Sequence, residues 1–118
     1  MIFNFAYDDD VDFTRRVQIF TPAGDSVDLT GFSARMMIRR RIGDETPLIS
    51  LASGTNNLVL HANGEIDIYI DEAMVAQLGR ENVYDLEVVD LSGKVSRPLQ
   101  GKMYVLDEDY NTYGSINS

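Results

Sequence analysis

The sequence predicts an all-β fold, an antiparallel β-sandwich of about seven or eight short strands with one short helix. Three observations carry this. Apolar and polar residues alternate with a period of two along most of the chain. Turn signals built on Gly, Asn, Asp and Pro recur roughly every 8–12 residues. No strand pattern alternates with a long helical one, which disfavours a parallel α/β sheet. The clearest stretch is Asp28 to Arg41, DLTGFSARMMIRRR. After the polar turn Asp28-Leu29-Thr30-Gly31, Phe32, Ala34, Met36 and Ile38 fall on one side of a strand, and Ser33, Arg35, Met37 and Arg39 on the other.

The elements follow in order. Residues 1–11 read as an N-terminal arm or edge strand, with 2–7 its apolar part. Residues 12–20 read as a strand with Phe13, Val17 and Ile19 on one face. Arg15 shares that face by parity, which predicts a bulge or strand end near it. Pro22-Ala23-Gly24-Asp25 is a turn, and residues 27–29 are a brief pairing segment. Beyond the strand at 32–41, a loop spans 42–47, and Leu48, Ile49 and Leu51 mark a short strand. Leu58-Val59-Leu60 and residues 65–70 read as a hairpin joined through His61-Ala62-Asn63-Gly64, because Asn and Gly both tolerate positive φ. Asp71 to Leu78 is the one helix. Asp71 is its N-cap, Glu72 suits the first turn, and Gly79 with Arg80 marks the end. At about two turns it needs a sheet to lean on. Residues 82–90 place Tyr84, Leu86 and Val88 inward and Asp85 and Glu87 outward. Residues 95–106 form the last strand, with Val95, Arg97, Leu99, Gly101, Met103 and Val105 in phase. Pro98 and Gly101 there predict an edge position or a bulge. Residues 107–118 are a polar C-terminal tail. The whole chain, 1–118, reads as one domain whose layers are Ig-like or jelly-roll-like.

The chain has 118 residues, enough to bury a core without metal or disulfide. It contains no cysteine, which removes thiolate catalysis and cysteine-ligated zinc. The formal net charge is −9, which opposes direct binding to nucleic-acid phosphates. The run Arg39-Arg40-Arg41 is too short to reverse that and reads as a strand end entering a solvated loop. The apolar start is followed at once by Asp8, Asp9 and Asp10, unlike a secretory signal, and no apolar run approaches the roughly 20 residues of a membrane span. The expectation is a product made in a cytoplasm, neither secreted nor in a membrane.

Catalytic signatures are not apparent. His61, the one histidine, sits beside a hairpin turn with no orienting partner visible in the sequence. Ser26, Ser33 and Ser50 lack a nucleophile-elbow context, and the glycines lie singly in turns rather than in a phosphate loop. Asp67 and Glu87 are a conceivable acid–base pair, but a solvated sheet face accounts for them better. Asp8-Asp9-Asp10 with Asp12, and Asp107-Glu108-Asp109, have oxygen ligands but not calcium-loop spacing. No cofactor and no metal is expected, and the chain reads as a non-enzyme.

The contact candidates are on the strands and the tail. Arg35 and Arg39 either pair with Asp85 and Glu87 across neighbouring strands or serve a partner. Met37 and Tyr69 join them as outward large side chains, and Tyr104, Tyr110 and Tyr113 make the C-terminal end a second contact candidate.

The order DLTGF with the M-x-I-R run, then NGEIDIYI, the DEAMVAQL segment, YDLEVVD, G-x-V-x-R and a final G-x-x-x-V strand resembles small β-sandwich structural proteins of tailed bacteriophages. These include baseplate domains, tail-fibre N-terminal domains and collar-type adaptors. The resemblance covers about residues 12–106. It implies a non-enzymatic, multi-copy virion role, with other virion proteins as partners and homo-oligomerisation. The arm and tail lie outside it, so it does not supply a docking surface. Two other readings stand beside it. One is an acidic module inhibiting a host nucleic-acid enzyme by mimicking phosphate charge. The other is a carbohydrate-binding sandwich, against which the lack of tryptophan counts.

Overall fold

Eight strands and one helical turn make up the described part of the protein, residues 1–106 of a computed structural model. In chain order they are β1 (Phe5–Asp8), β2 (Phe13–Gln18), β3 (Ser33–Arg39), β4 (Ile49–Ala52), β5 (Leu58–Leu60), β6 (Glu65–Ile70), α1 (Glu72–Val75), β7 (Glu81–Val89) and β8 (Val95–Leu106). They form a five-stranded sheet, ordered β1-β8-β7-β3-β4, and a three-stranded sheet, ordered β2-β6-β5. The larger sheet curls into a half-barrel. The tail, with Tyr110, Tyr113 and Asp107-Glu108-Asp109, lies outside the described residues.

Period-two patterning determines which side chains meet. Ala34, Met36 and Ile38 of β3 are buried, as are Ile66, Ile68 and Ile70 of β6 and Tyr84, Leu86 and Val88 of β7. Side chains of both sheets enter one core cluster, together with Val75 of α1. Each fully buried aliphatic there contributes about 1.5–3 kcal/mol. Phe5 joins the sheets: its ring lies 5.7 Å from Phe13 of the smaller sheet and 5.1 Å from Tyr84 of the larger.

Several expectations are corrected. The pairing is not antiparallel throughout, because β1 runs parallel to β8 with Phe5 opposite Met103 and Asp8 opposite Leu106. β8 is therefore an interior strand and not an edge, with β7 on its other side. The bulge expected in it is present: Leu86 faces Leu99 and Val88 faces Ser96, so Glu87 spans Arg97 and Pro98. Proline fits there because the ladder is already broken. The slip also moves Val95 and Arg97 out of the core phase, and Val95 is half exposed.

Arg15 needs no bulge, since β2 and β6 pair without interruption from Phe13 to Gln18. Its guanidinium lies 4.5 Å from the centre of the Phe13 ring and donates to the Ala6 carbonyl at 2.9 Å, linking edge strands of the two sheets. In the β5–β6 turn only Gly64 takes a positive φ. Asn63 instead accepts the Glu65 N–H through its side chain at 3.1 Å. The helix is shorter than 71–78. Asp71 does cap it, accepting from Met74 N–H at 2.9 Å, but the chain beyond Ala76 tightens into three-residue turns closed by Gln77 and Leu78.

Beyond α1, Asn82 is fully buried in the inward phase of β7. Its amide accepts from Gly79 N–H at 2.9 Å and donates to the Gly79 and Met103 carbonyls at 2.9 and 3.1 Å. The Tyr7 hydroxyl donates to the same Gly79 carbonyl. These bonds satisfy a loop whose backbone would otherwise be desolvated without partners.

The N-terminal arm lies along β8 by means of one glycine. A Cβ on Gly101 would overlap the Phe3 carbonyl and stand 2.8 Å from Asn4 Oδ1. With hydrogen there, Phe3 N–H donates to Gln100 O at 2.9 Å, Lys102 N–H to Asn4 Oδ1 at 2.9 Å, and the Tyr84 hydroxyl to Phe3 O at 2.6 Å. Gly101→Ala is expected to lower stability by about 1–3 kcal/mol, as overpacking does, with a reduced urea midpoint. An unchanged midpoint would show that the arm does not press on β8.

Candidate functional site

The outward face of the larger sheet bears a depression. A groove of about 830 Å³ lies over β3, β7 and β8. Strand parity makes its floor: Arg35, Met37 and Arg39 project from β3, and Asp85 and Glu87 from β7. Arg97 joins them because the β8 bulge turns it outward. Ile2 of the arm and Ile42 of the β3–β4 connection line the rim and are largely exposed.

The floor charges pair across strands. Arg35 sits directly opposite Glu87, and its Nε donates to Oε1 at 2.7 Å. Arg97 Nη2 donates to the other oxygen of the same carboxylate at 2.9 Å. Glu87 is only 16% exposed, against 53% for Arg35 and 50% for Arg97. The Arg35 guanidinium first, then that of Arg97, holds the Glu87 carboxyl below the usual carboxylate range. Arg39 reaches diagonally to Asp85 at 3.4 Å, and its Nε donates to the Asp44 carbonyl at 2.9 Å. Of the two readings of Arg35 and Arg39, the cross-strand pairing with Glu87 and Asp85 is present.

Of the seven contact candidates, the structure brings three together in the groove: Arg35, Met37 and Arg39. Tyr69 belongs to the other sheet, where its hydroxyl donates to Asp12 Oδ2 at 3.2 Å. That bond raises the Tyr69 pKa. Tyr104 is partly exposed on β8, away from the groove lining. Tyr110 and Tyr113 lie outside the described residues. Arg97, Ile2 and Ile42 were missed. Only Pro98 signalled the outward turn of Arg97, and nothing local places Ile2 beside β8.

A second polar cluster lies on the smaller sheet. Asp67 accepts from Arg16 Nε at 2.6 Å and meets His61 Nε2 at 2.9 Å. His61 therefore has a carboxylate partner that the sequence alone did not disclose. The pair is partly exposed beside Arg16, and among the described residues no hydroxyl hydrogen-bonds to the imidazole. Asp67 and Glu87 belong to different sheets, each held by arginine, and do not form an acid–base pair. Asp12 serves the fold: its Oδ1 accepts the Glu72 N–H at 2.8 Å. Among the described residues no three metal-ligating side chains converge, and no helix is long and apolar enough to cross a membrane.

Comparisons with known proteins leave the reading to the chain itself: no family model matches it, and no curated protein does.

The Asp67 carboxyl is held down to about 2, from 3.8, by the hydrogen bond from Arg16 and then that from His61. A depressed carboxyl stabilises the fold fully above its unfolded pKa and loses that contribution as pH falls through the folded one. Asp67→Asn should therefore lower the thermal midpoint at a pH of about 5, with the gap closing as pH falls towards about 2. A gap that persists unchanged in acid would show that the carboxylate charge is not its source.

Proposed function

We propose that this chain is a non-enzymatic β-sandwich adaptor of a bacteriophage virion, an attachment component of a tail, baseplate, collar or fibre. It works by assembly alone, docking through the outer groove of the five-stranded sheet. The observation that carries this reading is the composition of that groove. Cross-strand ion pairs form its floor, apolar Ile2 and Ile42 stand exposed at its rim, and Met37 lies between. Partly desolvated charge pairs with an apolar border suit recognition of a protein surface.

The chemistry of the two polar clusters supports assembly over turnover. Glu87 and Asp67, each bound by arginine, are both held ionised, which suits neither to store a proton as a general acid at neutral pH. The motif order from DLTGF to the last strand supports the virion assignment, with other virion proteins and further copies of the chain as partners.

Mass spectrometry of purified virions tests this. The chain should be present in fixed stoichiometry with the tail or baseplate proteins. Recovery only from the soluble lysate, bound to a host nucleic-acid enzyme, would contradict the adaptor role and favour an acidic inhibitor. Glycan binding by the isolated protein would instead favour a carbohydrate module.

A further inference from the structure

We infer that the groove receives the acidic turn Asp8–Asp12 of a second copy of this chain, with aspartate carboxylates seated on the Arg35 and Arg97 guanidiniums. The inference rests on the groove being the contact face proposed above. It concerns the isolated protein, so absence from virions would bear on the earlier proposal and a monomeric protein on this one.

The floor is arranged to accept a carboxylate. One glutamate, Glu87, is shared between the Arg35 and Arg97 guanidiniums, and Asp85, which pairs with Arg39, also acts on Arg97, so three arginines face two carboxylates on the floor. Arg35 uses only Nε and Arg97 only Nη2 towards it. Among the described residues the remaining N–H groups of both side chains have no acceptor. A guanidinium has five donors in a planar fork that matches a carboxylate, so each arginine keeps capacity for a second one. The whole lining holds four cations and three carboxylates, on a chain whose net charge is −9. The groove lining therefore carries a small positive excess on a negative chain.

The chain carries a complementary element. Asp8, Asp9, Asp10 and Asp12 are exposed around Val11, itself 48% exposed. Asp10 turns the chain there with a φ of 64°. Asp12 is engaged by Glu72 N–H and the Tyr69 hydroxyl, which leaves Asp8, Asp9 and Asp10 to face outward. Val11 supplies an apolar group for the Ile2 and Ile42 rim. The turn does not reach its own groove. Ile2 lies on the rim and Asp8 ends β1, and six residues of extended chain separate them by about 20 Å. With one turn in one groove per pair, the contact is head-to-tail between copies, and repeated application builds a ring or filament. Net repulsion between copies opposes it at long range. A Debye length of about 8 Å at physiological salt screens that repulsion more than the close ion pairs.

Sedimentation equilibrium at about 0.15 M salt tests the contact. The wild-type chain should associate beyond a dimer as concentration rises. A groove variant, Arg35→Gln with Arg97→Gln, and a turn variant, Asp9→Lys with Asp10→Asn, should each associate at least about tenfold more weakly alone. Mixed in equal amounts they should form a dimer and stop, because each retains one intact half. A wild-type monomer at all concentrations, either variant associating as wild type does, or a mixture without dimer would overturn the inference. Should a variant fail to fold, wild-type NMR spectra across concentration decide the matter. The Arg35 and Arg97 Nε resonances and the amides of residues 9–11 should shift together, and shifts confined to other surfaces would overturn it.

Discussion

The absence of a side chain at Gly101 determines the form of the larger sheet. It lets the backbone of Phe3 and Asn4 close on β8, where any Cβ would overlap the Phe3 carbonyl. Once the arm is down, β8 has partners on both sides, and its even-numbered amides at Gln100 and Lys102 are satisfied by Met1 O and Asn4 Oδ1. Phe5 and Tyr7 then enter the core, where Phe5 packs on Phe13 and Tyr84. The same placement brings Ile2 to the rim of the groove. An arm that floated free would leave β8 as an edge and the groove without one wall.

A second constraint acts on the outward face. The bulge at Arg97 and Pro98 turns a side chain that strict alternation would bury, and so places two arginines on one carboxylate. Such pairs are individually weak when exposed. Glu87 is largely sheltered, however, so the arrangement orients the two guanidiniums even where it contributes modestly to stability. Fold and candidate site thus meet in β8, through a glycine that admits the arm and a proline that marks the bulge.

What could be read from sequence follows from how local each cause is. The alternation of β3, β6 and β7 is a property of neighbouring residues, and it turns Arg35, Arg39, Asp85 and Glu87 outward, but that β3 and β7 lie side by side comes only from the fold. Parallel pairing of β1 with β8 joins residues nearly a hundred positions apart, and no short pattern encodes it. Pro98 and Gly101 were recognised as irregular, but their consequences, an outward Arg97 and a docked arm, depend on what lies beside β8. Asn82 is similar. It shares parity with Tyr84 and Leu86, yet only the folded loop at Gly79 and the Met103 carbonyl supply the partners that make a buried amide tolerable. Tyr69 was read as a contact because it projects from a strand, and the structure gives it a local partner in Asp12.

Amide hydrogen exchange at Gln100 and Lys102 tests the docked arm most directly. These amides have their acceptors in the arm, whereas those that alternate with them, at Leu99, Gly101 and Met103, point towards β7. The account predicts that both are protected to nearly the degree of the β7-facing amides, opening only with the sheet. Exchange at the rate of an unfolded peptide, while the β7-facing amides stay protected, would contradict it.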